Sequence, residues 1–273
     1  MREVSPKTMA DSGRGRLSVA WLVHVGFWSI LVLGGVAVIV VAQGGSWLPP
    51  QILHPLGTDE FGRDILATAL AAAALSLGKG TAIAAATMAL GLFFASLATA
   101  RGSRHAEFLV SAAAAVVESI PIVLWVMIVL VVLREPRLLV VGTAFCLVVL
   151  PSATRVIAGE LYRLRAQPYV EAAYQLGAGE ARVLFRYMLP NAGPVLLPYG
   201  LQVLGGAIAV DGAIGVIGLG NRSDLDLGIF LLRGKENFVQ HPQLLLLALA
   251  MYGLLFGYLL FAGRAHGSRP DDE

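Results

Sequence analysis

An all-α membrane protein of six transmembrane helices is the fold class the sequence predicts. Three observations predict it. Of the 273 residues, 57% are hydrophobic and only 14% charged, against about 25% charged in a soluble domain. The mean hydropathy is +0.74. The apolar residues fall into six blocks, each long enough to cross a bilayer at about 20 residues per span.

The first block covers 19–42. Arg14 and Arg16 precede it, and Val40-Val41-Ala42 faintly resembles a cleavage site. Its length exceeds the roughly 7–15 apolar residues of a signal peptide, so it reads as an uncleaved anchor. Trp21 and Trp47 suit an interfacial belt. The next blocks are 75–99, 107–133, 138–158, 195–218 and 243–262. Lys79 is expected near a helix end, with its ammonium reaching the interface. Cys146, alone within an apolar block, is expected to be a small buried hydrophobe and forms no disulfide or cysteine metal site. Gly253 and Gly257 form a GxxxG pair, which suits either close helix approach or ordinary glycine usage in a membrane helix.

Orientation follows from loop Lys and Arg. With the N-terminus inside, thirteen basic residues fall on the cytoplasmic side and seven opposite. A cytoplasmic tail 1–18, a six-helix domain 19–263 and a cytoplasmic tail 264–273 result. The segment 159–193 is then cytoplasmic, and the loops 43–74 and 219–242 are outside. No basic cluster interleaves with aromatics, which argues against a nucleic-acid partner.

Within 159–193, Pro168 suits a first helical position and Glu171 its first turn. Ala172, Ala173 and Leu176 continue a helix that Gly177 ends. A second helix from about Glu180 carries Val183, Leu184, Tyr187 and Met188 as an apolar stripe, and Pro190 is expected to stop it. Read alone, this is either an amphipathic surface helix or a helix seated in a partner's groove. The run Tyr169, Glu171-Ala172-Ala173, Leu176-Gly177-Ala178 and Leu189-Pro190 resembles the EAA loop of ATP-binding-cassette (ABC) importer permeases. The resemblance implies a short cytoplasmic coupling helix docking on a separate ATPase subunit.

Residues 54–66 read His-Pro-Leu-Gly-Thr-Asp-Glu-Phe-Gly-Arg-Asp-Ile-Leu. His54, Pro55 and Gly57 fix a turn, and Asp59 can cap the segment after it. Thr58, Gly62, Arg63 and Asp64 complete the motif and lead into the second span. The run resembles the signature after the first span in "C" permeases of dipeptide, oligopeptide and nickel importers. It reads as an external collar near a pore mouth, or as a rigid turn whose polar groups satisfy backbone. His54 has no partners in sequence for metal binding. The resemblance also covers Gln167-Pro168-Tyr169-Val170, Leu189-Pro190-Asn191 and Gly218-Leu219-Gly220, with Asp211 where relatives usually carry Glu. It departs at Tyr187 (often His), at 221–228, which lacks the usual prolines and Trp-Gly, and in the alanine-rich stretch after Asp64.

Glu118 lies within the third span, three residues before Pro121, which frees the carbonyl of Val117 and can bend the helix. An intramembrane carboxylate is costly. Glu118 therefore lines a pathway or forms a buried structural pair. Asp211 in the fifth span poses the same question, and its neighbouring glycines favour a structural role.

The resemblance implies a type I ABC importer permease in a bacterial inner membrane. The chain would pair with a second homologous permease as a heterodimer. Two ATPase subunits would bind ATP and Mg, and an extracytoplasmic solute-binding protein would deliver cargo. This chain has no phosphate loop and no catalytic or metal-binding constellation, so no cofactor is expected in it. An ion-gradient-driven secondary transporter would favour paired intramembrane charges and inverted repeats, neither evident here. An intramembrane metalloprotease would need His-Glu-x-x-His, which is missing. Dipeptides, oligopeptides, nickel chelates and opine metallophores all fit the subfamily as cargo.

Overall fold

The computed structural model describes residues 29, 33, 34, 36, 45–52, 54–100, 104–133, 138–220 and 225–267. Among them the chain is helical apart from turns and one isolated antiparallel bridge between Thr58 and Asp64. The elements are α1 (Ile65–Ala100), α2 (Arg104–Glu118), α3 (Ile122–Leu133), α4 (Leu138–Arg165), α5 (Pro168–Gln175), α6 (Glu180–Val183), a π-helical turn (Leu184–Met188), α7 (Leu189–Ile217), α8 (Leu227–Glu236) and α9 (Pro242–Gly267).

Among the described residues, four helical stretches are long and apolar enough to cross a membrane: Ile65–Thr99, Val140–Arg165, Glu180–Ile217 and Pro242–Ala265. A fifth, Val110–Glu118 with Ile122–Val132, is bent by 82°. These five match expected spans two to six. The expected first span, 19–42, lies outside the described residues apart from four helical positions, as do 1–18 and 268–273.

The contacts divide the chain into two compact units. One holds residues up to 75 together with 225–265. In it, Asp64 caps α1 by accepting from Ala67 N at 2.7 Å, and Asp226 caps α8 by accepting from Ile229 N at 2.8 Å. Gly234 lets α8 approach the start of α9, since a Cβ there would lie 2.7 Å from backbone atoms of Leu245.

The other unit holds the described residues of 76–220 together with 266–267. Small residues set its packing. Gly80 faces Leu204 and Ile208, and Gly91 faces Ala153 and Ile157. Membrane helices use such positions to bring backbones close, because lipid offers no hydrophobic drive between helices. Hydroxyls within the helices are satisfied locally: Thr87 donates to Ile83 O and Thr154 to Leu150 O, both at 2.8 Å. Cys146 is buried. A Cβ on Gly253 or Gly257 of α9 would meet nothing within 4 Å, so this pair brings no helix of the described chain close.

Four boundaries differ from expectation. The second span begins at Ile65 rather than 75, which places Lys79 well inside α1 and not near its end. The fourth continues to Arg165, so 159–165 is helix rather than loop. The last runs to Gly267, into the expected tail. Most tellingly, Pro190 does not stop the helix begun at Glu180, which continues to Ile217. A proline ring clashes with the carbonyl four residues back in a regular α-helix. Here the turn before it is π-helical, with Leu189 N bonded to Leu184 O. The widened register makes room for Pro190 in the first turn of α7.

Candidate functional site

Between α4 and α7 the chain folds into a small polar-faced assembly on an apolar floor. Gln167 is extended (φ −82°, ψ 140°), as a residue before proline must be, and Pro168 opens α5. Val170 and Ala173 point inward to join Ala95, Ile157, Leu161, Leu164, Val183 and Met188 in one buried cluster. This spacing leaves Tyr169, Glu171, Ala172 and Leu176 exposed on the opposite face, Leu176 at 88%.

The end of α5 is set by Gly177 at φ +80°. Ala178 N bonds Ala173 O at 3.1 Å and Gly177 N bonds Tyr174 O at 2.9 Å. That pair of hydrogen bonds is the Schellman closure, which requires the left-handed residue that glycine supplies without strain. α6 then starts at Glu180, whose Oε2 accepts from Arg165 Nη2 at 2.6 Å and from the Tyr174 hydroxyl at 3.0 Å. One carboxylate thus ties the ends of α4, α5 and α6. Burial, and then the bond to Glu180, raises the Tyr174 pKa above its usual value of 10, so the phenol keeps its proton and remains a donor.

Of the expected apolar stripe, Val183 and Met188 are buried and Leu184 and Tyr187 are half-buried. Phe185 lies off that stripe and is 64% exposed. Leu189 is half-buried and Pro190 exposed.

The 54–66 motif is knotted by its own hydrogen bonds. Thr58 Oγ1 accepts from Leu48 N and donates to Gly45 O, both at 2.7 Å. Asp59 accepts from Phe61 N and Arg63 N at 2.9 Å and pairs with the Arg63 guanidinium at 2.7 Å. Asp59 therefore closes the turn, while Asp64 caps the helix. His54 Nδ1 lies 3.1 Å from Asp64 Oδ2. Gly57 and Gly62 take φ of +83° and +75°, and a Cβ on Gly57 would sit 2.4 Å from Leu48 O. Pro55 is exposed beside them. Phe61 lies between the guanidiniums of Arg63 and Arg233, 4.7 and 4.9 Å from its ring. Burial and the nearby Arg63 charge lower the Arg233 pKa. Trp47 stacks on His241 with centroids 3.9 Å apart. No group of His, Cys, Asp and Glu among the described residues is arranged to hold a metal ion.

Glu118 ends α2 at the 82° break. It accepts from Arg155 Nη2 at 2.6 Å and Ser152 Oγ at 2.8 Å. The Val117 carbonyl beside Pro121 accepts from the Trp125 indole at 3.2 Å. Asp211 is half-buried on α7 next to the buried Gly212. The structure brings Glu118 and Arg155 together, a pair invisible in the sequence because 37 residues separate them.

Residues 87–266 match the family described as the binding-protein-dependent transport system inner membrane component. The chain belongs to this family. The matched range contains α5, Gly177, the π turn and Glu118. Among relatives of this transport family, the oligopeptide transport system permease protein OppC of Bacillus subtilis (strain 168) is 32% identical over 173 residues, 63% of this chain and 56% of that one. The probable D,D-dipeptide transport system permease protein DdpC of Escherichia coli (strain K12) is 28% identical over 190 residues, 69% and 63% of the two chains. The chain thus covers less than two thirds of either relative's length. A solved chain of the MetNI methionine ABC transporter, in an inward-facing conformation, shares the fold with a TM-score of 0.55 at 17% identity, over 71% of this chain and 94% of that one.

Proposed function

We propose that this chain is the permease subunit of an ABC importer, forming half of a translocation path for a peptide-like or metal-chelate solute. The observation that carries this reading is the division of α5 into two faces. Val170 and Ala173 anchor it to the membrane helices, while Tyr169, Glu171, Ala172 and Leu176 stand outward. A short helix anchored by one face and exposed on the other fits a groove on a partner. Family membership supports an ATPase as that partner.

On this reading α5 is the coupling helix, and Gly177, Ala178, Leu189 and Pro190 shape its exit. Two ATPase subunits bind ATP and Mg, a second homologous permease completes the path, and a solute-binding protein delivers cargo from outside. Both termini are cytoplasmic in a bacterial inner membrane, and the 54–66 turn faces outward. ATP closes the ATPases, and α5 moves with its groove. The ATPase contacts must differ between inward-open and outward-open states, or ATP would shift nothing. The names of the relatives favour peptides among the cargo classes.

The test is uptake by proteoliposomes holding the chain, its partner permease, the ATPases and the binding protein, offered peptides and metal chelates. ATP-dependent uptake of one class, abolished by Glu171→Ala together with Gly177→Pro, supports the reading. Uptake driven by an ion gradient without the ATPases overturns it in favour of a secondary carrier.

A further inference from the structure

The Glu118–Arg155 pair sits at an unusual depth. Arg155 is about 15 Å up α4 from Arg165, and Glu118 about 21 Å along α2 from Arg104, at 1.5 Å per residue. α2 is apolar over the six residues before Glu118, and α4 over the stretch before Ser152. Glu118 falls near the middle of the apolar block 107–133 and Arg155 towards the end of the block 138–158, so the pair lies within the membrane-crossing stretches. Yet both side chains are open, 43% exposed at Glu118 and 40% at Arg155. An ion pair does not face lipid at such depth without a large cost.

A second feature at the same spot is independent of charge. Ser119, Ile120 and Pro121, the break between α2 and α3, are all exposed. Irregular backbone at membrane depth is tolerated where protein buries it or where it lines a water-filled cavity. Discontinuous helices of this kind form solute sites in other transporters. The described bonds use Oε1 of Glu118 and Nη2 of Arg155. The guanidinium has further donors in its plane, and the carboxylate has a second oxygen.

We infer that Glu118 and Arg155, at this broken span, form a docking point for a zwitterionic solute, a short peptide with free ends. The peptide carboxylate exchanges onto Arg155 and its ammonium onto Glu118, and the two side chains rejoin when the solute leaves. Ser152 positions the carboxylate through its bond to Oε1. The inference rests on the importer reading and names the solute chemistry within it. Resting as a pair keeps each charge compensated in the empty path.

The experiment is ATP-dependent uptake by the full reconstituted complex of one short peptide in three forms: free, C-amidated and N-acetylated. Each variant is compared with wild type for each form, so selection by the binding protein cancels. Arg155→Gln is expected to slow the free peptide about tenfold and the amidated one little further, because the contact it removes is already missing there. Glu118→Gln is expected to do the same for the free and acetylated forms. The double exchange Glu118→Arg with Arg155→Glu keeps the pair and is expected not to restore uptake. Equal losses for all three forms, or restoration by the exchange, overturn the docking point and leave a strut between helices. Ser152→Cys gives an arm that does not depend on the charge variants folding, since native Cys146 is buried. Free peptide is expected to slow its modification by a small charged thiol reagent, and unchanged modification overturns the inference. Wild-type complex that takes up none of the three forms but imports a metal chelate overturns the docking point, and one that imports neither overturns the importer reading itself.

Discussion

Glu180 holds Arg165 at 2.6 Å across a turn of the chain, and the same oxygen receives the Tyr174 hydroxyl. The pair is partly exposed, 25% at Arg165 and 54% at Glu180. Exposed pairs contribute under about 1 kcal/mol. Glu180→Gln should therefore leave thermal unfolding nearly unchanged while loosening α5 relative to α4. ATP-dependent transport should fall several-fold as ATPase turnover persists. An equal fall in unfolding temperature and transport would assign the pair to stability instead. Because the Tyr174 pKa is raised, transport should show no alkaline loss from this group up to its ordinary pKa of 10.

Gly177 and Gly57 share a positive φ but not a surrounding. A Cβ on Gly177 meets nothing within 4 Å. Gly177→Ala should cost only the conformational term of about 1–2 kcal/mol, and Gly177→Asn should cost less. Thermal unfolding of both variants checks this.

At Gly57 the added Cβ meets Leu48 O at 2.4 Å as well. Gly57→Ala should destabilise more than Gly177→Ala, by about 2 kcal/mol or more in total. It should lower the yield of folded protein before any transport is measured. Comparable yields for the two variants would count against the clash.

Leu176 and Phe185 are 88% and 64% exposed and pack against little of the chain. Leu176→Ser and Phe185→Ser should leave stability unchanged but weaken retention of the ATPase by at least about tenfold, as expected of apolar anchors at an interface centre. Co-purification in detergent reads this directly, and full retention would remove both residues from the interface.

Trp125 donates to the carbonyl that Pro121 leaves open. Trp125→Phe keeps the ring and removes the N–H. It should cost about 1–3 kcal/mol if the carbonyl is left unpaired, seen as a lower unfolding temperature. A neutral result would mean Ile120 N, 3.4 Å from the same oxygen, suffices.

Local chemistry makes much of this readable from the residues. Pro168, Glu171 and Gly177 mark where α5 starts and ends, because each acts through its own backbone. Pro121 announces a bend, but not one of 82°, since the angle depends on the packing of α2 and α3. Glu118 and Arg155 fall in separate apolar blocks, and no local pattern tells that α2 and α4 bring them together. Phe185 escapes notice because it lies off the apolar stripe, on the face where polar residues are expected. Pro190 misleads because a proline stops a regular helix, but the widened turn ahead of it has already moved the carbonyl away.

That turn has a mechanical consequence. From Glu180 to Ile217 the chain is one rod of 38 residues, roughly 57 Å at 1.5 Å per residue, with no loop between its polar end and its membrane-crossing end. A displacement applied at Glu180 therefore travels as leverage. The π turn at Leu184–Met188 and the kink-prone Pro194 and Pro198 are the places where that lever can yield.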